Sequence, residues 1–424
     1  MRKLYHLLAC AGLVVVGACG GDGPSEPTPP PTNPPTDTFP ITGQAVPGMA
    51  SFDALIPALM KRWNVPGAAV AVVRDGRLVF ARGYGYADVT EKEKVQPDAL
   101  FRIASISKPI TAAAILKLVE EGRLALDDAA FPLRPDLTPP PGATVDPRLN
   151  SITIRQLLHH AGGWDRNVSF DPMFRSTTAA QIMGVPAPAS AETVVRYMMG
   201  QPLDFEPGSR YAYSNFGYAV LGRVIEGITG ESYETFVKRE ILAPAGVTRM
   251  RLGRTLLADR APGEVRYYDT NYAESVFPGG GTVPMAYGGF YLEAMDSHGG
   301  WIASTVDLLR FVTAVDGLPT RPDVLSAMSV QQMVAPPPPP LFMDSPWYYA
   351  MGWQVRPVEG NWWHTGSLPG TTTLLVRTGS GLAWAILMNS RSSGPMVGDV
   401  DQTMWQAVQQ VGSWPSHDLF SQFP

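Results

Sequence analysis

Cysteine is nearly absent from this 424-residue chain, and its two cysteines, Cys10 and Cys19, both lie close to the N-terminus. The long remainder of the chain therefore cannot form an internal disulfide, so the stability of a folded domain there must come from packing. Apolar residues make up 45% of the sequence, which is enough to bury one large core or two moderate ones.

Basic clusters and cofactor motifs are missing as well. The formal net charge is −5 and no long basic run occurs, so we expect no nucleic-acid partner. The chain contains no P-loop, no G-x-G-x-x-G after a strand, no C-x-x-C and no G-x-S-x-G. These absences argue against a nucleotide-dependent enzyme and against an α/β-hydrolase, and we expect neither a cofactor nor a metal.

The N-terminus has the pattern of an export signal. Two basic residues precede an apolar run over residues 4–17, which is too short to cross a bilayer comfortably and predicts a signal peptide over residues 1–18. The sequence VGAC, ending at Cys19, resembles a bacterial lipobox, in which the cysteine is lipidated and becomes the new N-terminus. The alternative is an ordinary cleaved signal in which Cys19 is incidental.

Residues 19–48 are predicted to form a proline-rich tether that carries the lipid at Cys19. About 20 residues rich in Pro, Thr and Gly stay extended and reach about 60 Å at about 3 Å each. We therefore expect an exported lipoprotein, with a domain over residues 49–414 held at the periplasmic face of the outer membrane or at the cell surface. Residues 415–424 are predicted to be a C-terminal tail.

Hydrophobic periodicity places strands at both ends of the domain and helices between them. Two β-rich runs, at residues 68–73 and 78–83, flank the turn signal Asp75-Gly76 and predict a hairpin. Strands are also predicted at residues 349–355, 362–365, 371–377 and 383–388, and helices at 154–160, 191–199, 215–229, 232–242, 305–315 and 400–411. If one sheet takes strands from both ends, the helical middle must form a second layer or subdomain.

A candidate nucleophile lies at the start of a further helix, predicted over residues 107–121. Ser105 and Lys108 form the one S-x-x-K in the chain, and residues three apart share a helix face. The helix start directs N–H groups toward the serine, and a partly desolvated lysine has a lowered pKa and acts as a base. Ser107 is a weaker candidate because adjacent helix residues do not face each other. An isolated S-x-x-K is a weak signal, since a surface Ser and Lys also give it.

Two more motifs strengthen this signal. Tyr213-Ser214-Asn215 precedes a predicted helix, and His364-Thr365-Gly366 ends a short predicted strand. The order S-x-x-K, then Y-x-N, then H-T-G resembles the serine β-lactamase and DD-peptidase superfamily. It resembles in particular the class C-like branch, which includes penicillin-binding-protein-like esterases and D-aminopeptidases. The resemblance covers residues 51–412.

The resemblance implies an α/β fold with a β-lactamase/transpeptidase-like antiparallel sheet flanked by helices. A second, all-α subdomain would stand beside the sheet, and the active site would lie in the cleft between them. In that site Ser105 would attack the substrate carbonyl and Lys108 would help remove its proton. Tyr213 would pass a proton to the leaving group and activate the water that hydrolyses the acyl-enzyme.

The resemblance also implies substrate-binding roles. Asn215 would hydrogen-bond the acyl side of the substrate, and His364 and Gly366 would border it. The backbone N–H groups of Ser105 and Ser367 would form the oxyanion hole.

His364 departs from the family pattern, which normally has lysine at this position. Imidazole, with an ordinary pKa near ~6.5, offers a weaker and pH-dependent charge for a substrate carboxylate. We therefore expect a carboxylesterase-like or peptidase-like hydrolase of small esters, peptides or β-lactam-like compounds. The alternatives are a β-lactamase or DD-carboxypeptidase and, in another class, a non-catalytic cell-wall binding or sensor protein.

Four other residues have weaker signals. His159 and His160 are adjacent, which is unfavourable for binding one metal ion, so a structural role is expected. Trp362 and Trp363 fit either a substrate cleft or the core.

Overall fold

The computed structural model describes residues 38–341, 345–392 and 394–423. The predicted signal peptide and Cys19 lie outside these described residues. Within them, no helix is both long and apolar enough to cross a membrane.

The main sheet is antiparallel and draws its strands from both ends of the chain. Its order is β1-β3-β2-β14-β13-β12-β11-β10, with β4 beside β3. Two small sheets, β5-β9-β6 and β7-β8, accompany it. The strands are β1 (Ile41–Thr42), β2 (Gly67–Arg74), β3 (Arg77–Asp88), β4 (Glu93–Lys94), β5 (Phe101–Arg102), β6 (Arg251–Leu252), β7 (Tyr272–Glu274), β8 (Thr282–Pro284), β9 (Trp301–Ala303), β10 (Tyr348–Tyr349), β11 (Gln354–Arg356), β12 (Asn361–Leu368), β13 (Thr371–Arg377) and β14 (Leu382–Met388).

The pairing of β2 with β14 confirms that one sheet joins both ends of the domain. Val70 lies opposite Ile386 in this pair. Most helices lie between these strands in the sequence, as predicted. The helices are α1 (Ala50–Trp63), α2 (Ser107–Glu120), α3 (Ile154–Leu158), α4 (Ser176–Met183), α5 (Ala191–Met198), α6 (Asn215–Thr229), α7 (Tyr233–Val237), α8 (Thr305–Thr313), α9 (Ala327–Val334) and α10 (Met396–Gln409).

Alternate residues of the central strands enter two separate cores. In β2, Val70 and Val72 pack with apolar residues of α1 and α10, whereas Ala69 and Ala71 face the larger core built with the middle helices. Successive side chains of a strand point to opposite faces, so a strand covered on both sides is apolar throughout. The sheet is therefore the middle layer between the terminal helices and the helical region.

The predicted strand over residues 349–355 is instead two short strands, β10 and β11. Gly352 separates them, at a positive φ of 81°. A Cβ at this position would lie 2.9 Å from the carbonyl oxygen of Lys108. The chain bends here because the edge of the sheet approaches the start of α2 closely.

The folded domain extends beyond both of its predicted boundaries. Ile41 in β1 pairs with Tyr84 in β3, so the end of the predicted 19–48 tether belongs to the sheet. In the predicted 415–424 tail, Leu419 and Phe420 are buried, and Leu419 donates a backbone hydrogen bond to Leu78. Composition suggested extended segments, but backbone pairing and a few apolar side chains suffice to attach them.

Candidate active site

Ser105 lies in a tight turn that leads into α2. The turn is a 3-10 segment, Ala104–Ile106, whose first residue has a positive φ of 50°. Residues other than glycine adopt this conformation at a cost of about 1–3 kcal/mol, and they do so mainly where the surroundings enforce it. The buried Ser107 hydroxyl donates to the Ala104 carbonyl at 2.7 Å and supports the turn. Ser105 remains half-buried between buried neighbours.

Lys108 is the second residue of α2 and is completely buried. Its Nζ is 3.1 Å from the Ser105 hydroxyl, 2.8 Å from the Asn215 side-chain oxygen and 3.0 Å from the His298 carbonyl oxygen. Burial lowers the pKa of Lys108 well below its ordinary value, and Arg166 lowers it further, while Asp171 opposes the shift. The ammonium form is therefore disfavoured at this position.

The three partners of Lys108 match the needs of an uncharged amine. The His298 carbonyl and the Asn215 amide oxygen can only accept hydrogen bonds, so they take the two N–H groups of the neutral amine. The third partner is the Ser105 hydroxyl, and an uncharged amine at this distance can accept its proton. This geometry places a hydroxyl that can act as a nucleophile beside an amine that can act as a base.

Asp171 fixes the orientation of the Asn215 amide. Asn215 is the first residue of α6, whose N-cap Ser214 accepts from the Gly217 N–H. The side-chain amide nitrogen of Asn215 donates to the Asp171 carboxylate at 2.6 Å. Because a carboxylate only accepts, the amide nitrogen must face Asp171 and the oxygen must face Lys108.

Tyr213 lies close to two basic side chains. Its ring centroid is 4.8 Å from the Nζ of Lys108 and 4.8 Å from the guanidinium carbon of Arg166. Burial raises the pKa of Tyr213 well above its ordinary value, although the nearby Ser105 hydroxyl acts in the opposite direction. The phenol is therefore uncharged at neutral pH and can donate a proton.

His364 does not present a charge to the cleft, which corrects the expectation of a pH-dependent anion site there. The ring is 2% exposed, and burial lowers the pKa of His364 to about 3. Its Nδ1 donates to the Thr365 carbonyl at 2.7 Å, and its Nε2 then accepts from the Tyr349 hydroxyl at 3.0 Å. Both nitrogens are occupied within the protein, so the ring supports β12 and is neutral.

Gly366 brings β12 against the turn that carries the nucleophile. A Cβ here would lie 3.1 Å from the Cβ of Ala104 and would overlap the Thr373 hydroxyl and the Ile103 carbonyl. The next residue along, Ser367, is exposed. The structure thus brings the strand of Ser367 to the turn of Ser105, where the two backbone N–H groups were expected to meet an oxyanion.

The adjacent histidines are both buried, as expected of structural residues. His159 lies 3.3 Å from the Tyr349 carbonyl, and His160 accepts from the Ser214 N–H at 3.1 Å. His160 also packs against the Tyr213 ring, with centroids 4.3 Å apart. Among the described residues, no group of three or more His, Cys, Asp or Glu side chains is placed to hold a metal ion.

The two tryptophans differ in their surroundings. Trp362 is buried between Trp353 and the guanidinium of Arg377, so it fills the core. Trp363 is half-buried on the opposite face of β12, against Trp347.

Sequence reasoning missed three residues that the fold brings to the site: Asp171, Arg166 and Tyr349. Asp171 and Arg166 lie on the loop after α3, and no motif marks them. Tyr349 lies in a run that we read as a strand. Its sequence gives no sign that its hydroxyl meets His364.

The amino-acid pattern that defines the family described as Beta-lactamase matches residues 52–409. The match spans most of the chain, and the chain therefore belongs to the beta-lactamase family. The predicted resemblance to the serine β-lactamase and DD-peptidase superfamily is confirmed.

Two relatives illustrate the range of similarity. Penicillin-binding protein 4* of Bacillus subtilis (strain 168) is 29% identical over 317 residues, which are 73% of this chain and 64% of that protein. Protein flp of Staphylococcus aureus (strain COL) is 31% identical over 203 residues, which are 48% of this chain and 38% of that protein. The matches thus span less than two thirds of the length of these relatives.

Solved structures share the fold. The octameric penicillin-binding protein homologue from Pyrococcus abyssi has a TM-score of 0.64 at 24% identity, covering 84% of this chain and 77% of that one. D-amino acid amidase from Ochrobactrum anthropi SV3, complexed with D-phenylalanine, has a TM-score of 0.64 at 22% identity, covering 86% and 99%. The predicted fold, an antiparallel sheet flanked by helices, is confirmed.

Proposed function

We propose that this protein is a serine hydrolase that forms an acyl-enzyme at Ser105 and hydrolyses ester or amide carbonyls. The observation that carries the proposal is the buried amine of Lys108, which has two fixed hydrogen-bond acceptors and lies 3.1 Å from the Ser105 hydroxyl. A serine hydroxyl becomes a good nucleophile when a neighbouring base takes its proton, and Lys108 is placed to do so.

In the proposed first step, Lys108 accepts the Ser105 proton as Oγ bonds to the substrate carbonyl carbon. The carbonyl oxygen gains negative charge and is stabilised by the backbone N–H groups of Ser105 and Ser367. The neutral phenol of Tyr213 donates its proton to the leaving group and regains one from Lys108. Water then attacks the acyl-enzyme by the reverse sequence of proton transfers.

The surroundings of His364 favour esters and simple amides over β-lactams as substrates. A neutral, buried imidazole provides no cation on β12 for a lactam carboxylate. Ester or amide hydrolysis needs acylation and water but no anion site on this strand. The names of the relatives, penicillin-binding protein and D-amino acid amidase, suggest which substrates to test beside simple esters.

The test is the intact mass of the protein after mixing with a fluorophosphonate, a penicillin or a p-nitrophenyl ester. We expect a fluorophosphonate adduct on the wild type and none on Ser105→Ala. Ester turnover should be detected in the wild type and lost in the variant. D-phenylalanine amide and a penicillin, assayed in parallel, rank amidase and lactamase activity.

Ser107→Ala is the matched control. It removes one hydroxyl from the same turn, together with one hydrogen bond to Ala104, at a cost of about 1 kcal/mol of stability. This variant should keep the adduct and most of the activity. Absence of adduct and turnover in the wild type would refute the proposal and favour a non-catalytic binding or sensor protein.

We also propose that the protein is exported and attached to a membrane through lipid on Cys19. The support is the sequence pattern before residue 20. Cell fractionation should find the wild type with membranes, and Cys19→Ser should be released or misprocessed. A wild type recovered in the soluble fraction with a different N-terminus would refute this attachment.

A further inference from the structure

The side chain of the exposed Arg166 lies against the Tyr213 ring, with the central guanidinium carbon 4.8 Å from the ring centroid. Across the described residues, no hydrogen bond or ion pair involves the Arg166 side chain, and the Tyr213 ring is its contact. The Ser105 hydroxyl is near the Tyr213 phenol and lowers its pKa, against the larger effect of burial, which raises it. An unpaired cation therefore stands one side chain away from the nucleophile.

Three other arginines of the same helical region form ion pairs with nearby aspartates: Arg148 with Asp146, Arg155 with Asp127 and Arg210 with Asp165. Arg166 differs from these three because, among the described residues, no carboxylate is close enough to pair with it.

The two acids nearest to Arg166 in the sequence are already occupied. The Asp165 carboxylate accepts from Arg210 at 2.8 Å and from the Asn167 N–H at 2.9 Å. The Asp171 carboxylate accepts from the Asn215 amide at 2.6 Å. Neither acid forms an ion pair with the Arg166 guanidinium, so its donors are available to a ligand in the cleft.

Electrostatic effects confirm that Arg166 is close to the reacting groups. Its positive charge contributes to lowering the pKa of Lys108 and opposes the rise in the pKa of Tyr213. His364, the other candidate cation of the site, is neutral and has both nitrogens engaged. Arg166 therefore provides a permanent positive charge close to Lys108 and Tyr213.

We propose that Arg166 binds a carboxylate of the substrate, so that the site prefers esters or amides with a free carboxylate near the scissile bond. The inference rests on the proposed function. A guanidinium offers two parallel N–H donors that match a carboxylate, and its stacking on Tyr213 restricts its motion. Binding to Arg166 would place the carbonyl of such a substrate beside Ser105.

Another role of Arg166 has to be separated from this one. A cation over the Tyr213 ring also stabilises the phenolate and changes the proton transfer itself. That effect acts on every substrate equally, whereas carboxylate binding acts on charged substrates alone. Two substrates of equal length that differ in one carboxylate distinguish the two roles.

The experiment compares mono-p-nitrophenyl glutarate with p-nitrophenyl pentanoate. We expect Arg166→Gln to lower kcat/KM for the glutarate relative to the pentanoate on the order of tenfold, mainly through KM, the size of a lost charged hydrogen bond. Arg166→Lys should recover part of the loss. Arg148→Gln, which removes a cation already paired with Asp146, should leave the ratio unchanged.

Binding to the Ser105→Ala variant gives a readout that does not need turnover. The glutarate should bind this variant more tightly than the pentanoate, and adding Arg166→Gln should remove the difference. Equal effects of Arg166→Gln on both substrates, or no effect on either, would overturn the proposed carboxylate site. If the proposed hydrolase activity were wrong but the carboxylate site were right, the wild type would show no turnover, while the difference in binding between the two compounds would remain.

Discussion

Lys108 and His364 are two buried nitrogen bases on opposite sides of the same site. Desolvation lowers the pKa of each. Around Lys108 there are two hydrogen-bond acceptors and one hydroxyl, whereas His364 lies between the Thr365 carbonyl and the Tyr349 hydroxyl. The same physical cause therefore acts on a lysine that faces the nucleophile and on a histidine that faces only protein.

The comparison shows that burial has opposite functional consequences at the two positions. Removing the proton from Lys108 creates a lone pair beside Ser105 and so provides a base. Removing the proton from His364 eliminates the charge that would have attracted a substrate carboxylate. Each unit by which burial lowers the pKa of a base costs up to about 1.4 kcal/mol of folding stability at pH values where the unfolded chain binds the proton. In the proposed mechanism, this cost contributes to catalysis at Lys108 and not at His364.

Of the changes considered, replacing Lys108 should have the largest effect, and that effect is on the rate of acylation. Lys108→Met keeps the length and apolar stem of the side chain but removes the base, so acylation should fall on the order of a thousandfold. The rate of adduct formation with the fluorophosphonate measures this loss. Thermal unfolding of the variant checks that the fold survives. A variant that keeps wild-type acylation would show that Lys108 is not the base.

The strand opposite the nucleophile should be the next most sensitive element. Gly366→Ala forces a Cβ into the Thr373 hydroxyl and the Ile103 carbonyl, so β12 must move away from the turn of Ser105. Loss of one oxyanion donor typically lowers kcat on the order of a hundredfold, and we expect this size in ester turnover.

Gly398→Ala is the matched control for that variant. Gly398 lies in α10, and a Cβ there would have no heavy atom within 4 Å. Alanine should leave turnover unchanged and stabilise the helix by about 0.5–1 kcal/mol. If Gly366→Ala behaved like this control, β12 would not hold the oxyanion donor in place.

Much of the fold was predictable because it depends on local periodicity. The hairpin of β2 and β3 and the helix α6 follow the predicted patterns closely. The helix α1 was missed, although Phe52, Ile56 and Leu59 have helical spacing. Pro57 lies inside it, and an interior proline argues against a helix unless burial of the apolar face compensates.

The site was predictable where it depends on residues close in sequence. Three-residue spacing at a helix start brings Lys108 to Ser105, and the structure places them 3.1 Å apart. The protonation of His364 was not predictable, because it depends on Tyr349 and on burial by distant segments. Arg166 and Asp171 reach the site through the path of a loop, which no sequence period encodes.

Replacing His364 should have a smaller effect, on the pH dependence of folding stability, and this effect tests whether the ring is neutral in the folded protein. Its pKa is about 3 in the folded protein and about 6.5 when unfolded, so between these values only the unfolded chain binds the proton. Stability is therefore complete above about pH 6.5 and falls as the pH drops toward 3. His364→Gln should make that fall shallower by about 1.4 kcal/mol per pH unit.

Urea unfolding of both proteins at pH 6 and pH 4.5 measures this difference. Between pH 8 and pH 6, where the carboxylate of the glutarate stays ionised, the glutarate-to-pentanoate ratio of the wild type should not change, because the His364 ring stays neutral. Parallel stability curves would mean that His364 is protonated in the folded protein. The contrast with Lys108 would then be lost.

The smallest expected effect is a pair of opposite shifts in the pH dependence of catalysis. Since Lys108 must be uncharged to accept a proton, kcat/KM should rise with pH through the pKa of Lys108. The negative charge of Asp171 raises that pKa, and the positive charge of Arg166 lowers it. Asp171→Asn should therefore move the acidic limb of the kcat/KM–pH profile to lower pH, and Arg166→Gln should move that limb to higher pH.

The neutral pentanoate is the substrate for this measurement, because carboxylate binding at Arg166 then does not contribute. Added salt should reduce the shift caused by Arg166→Gln more than that caused by Asp171→Asn, since Arg166 is exposed and Asp171 is half-buried. Shifts in the same direction would mean that the limb reports a change in site geometry. Opposite shifts would identify Lys108 as the titrating group and show that charges on one loop adjust its proton affinity from both sides.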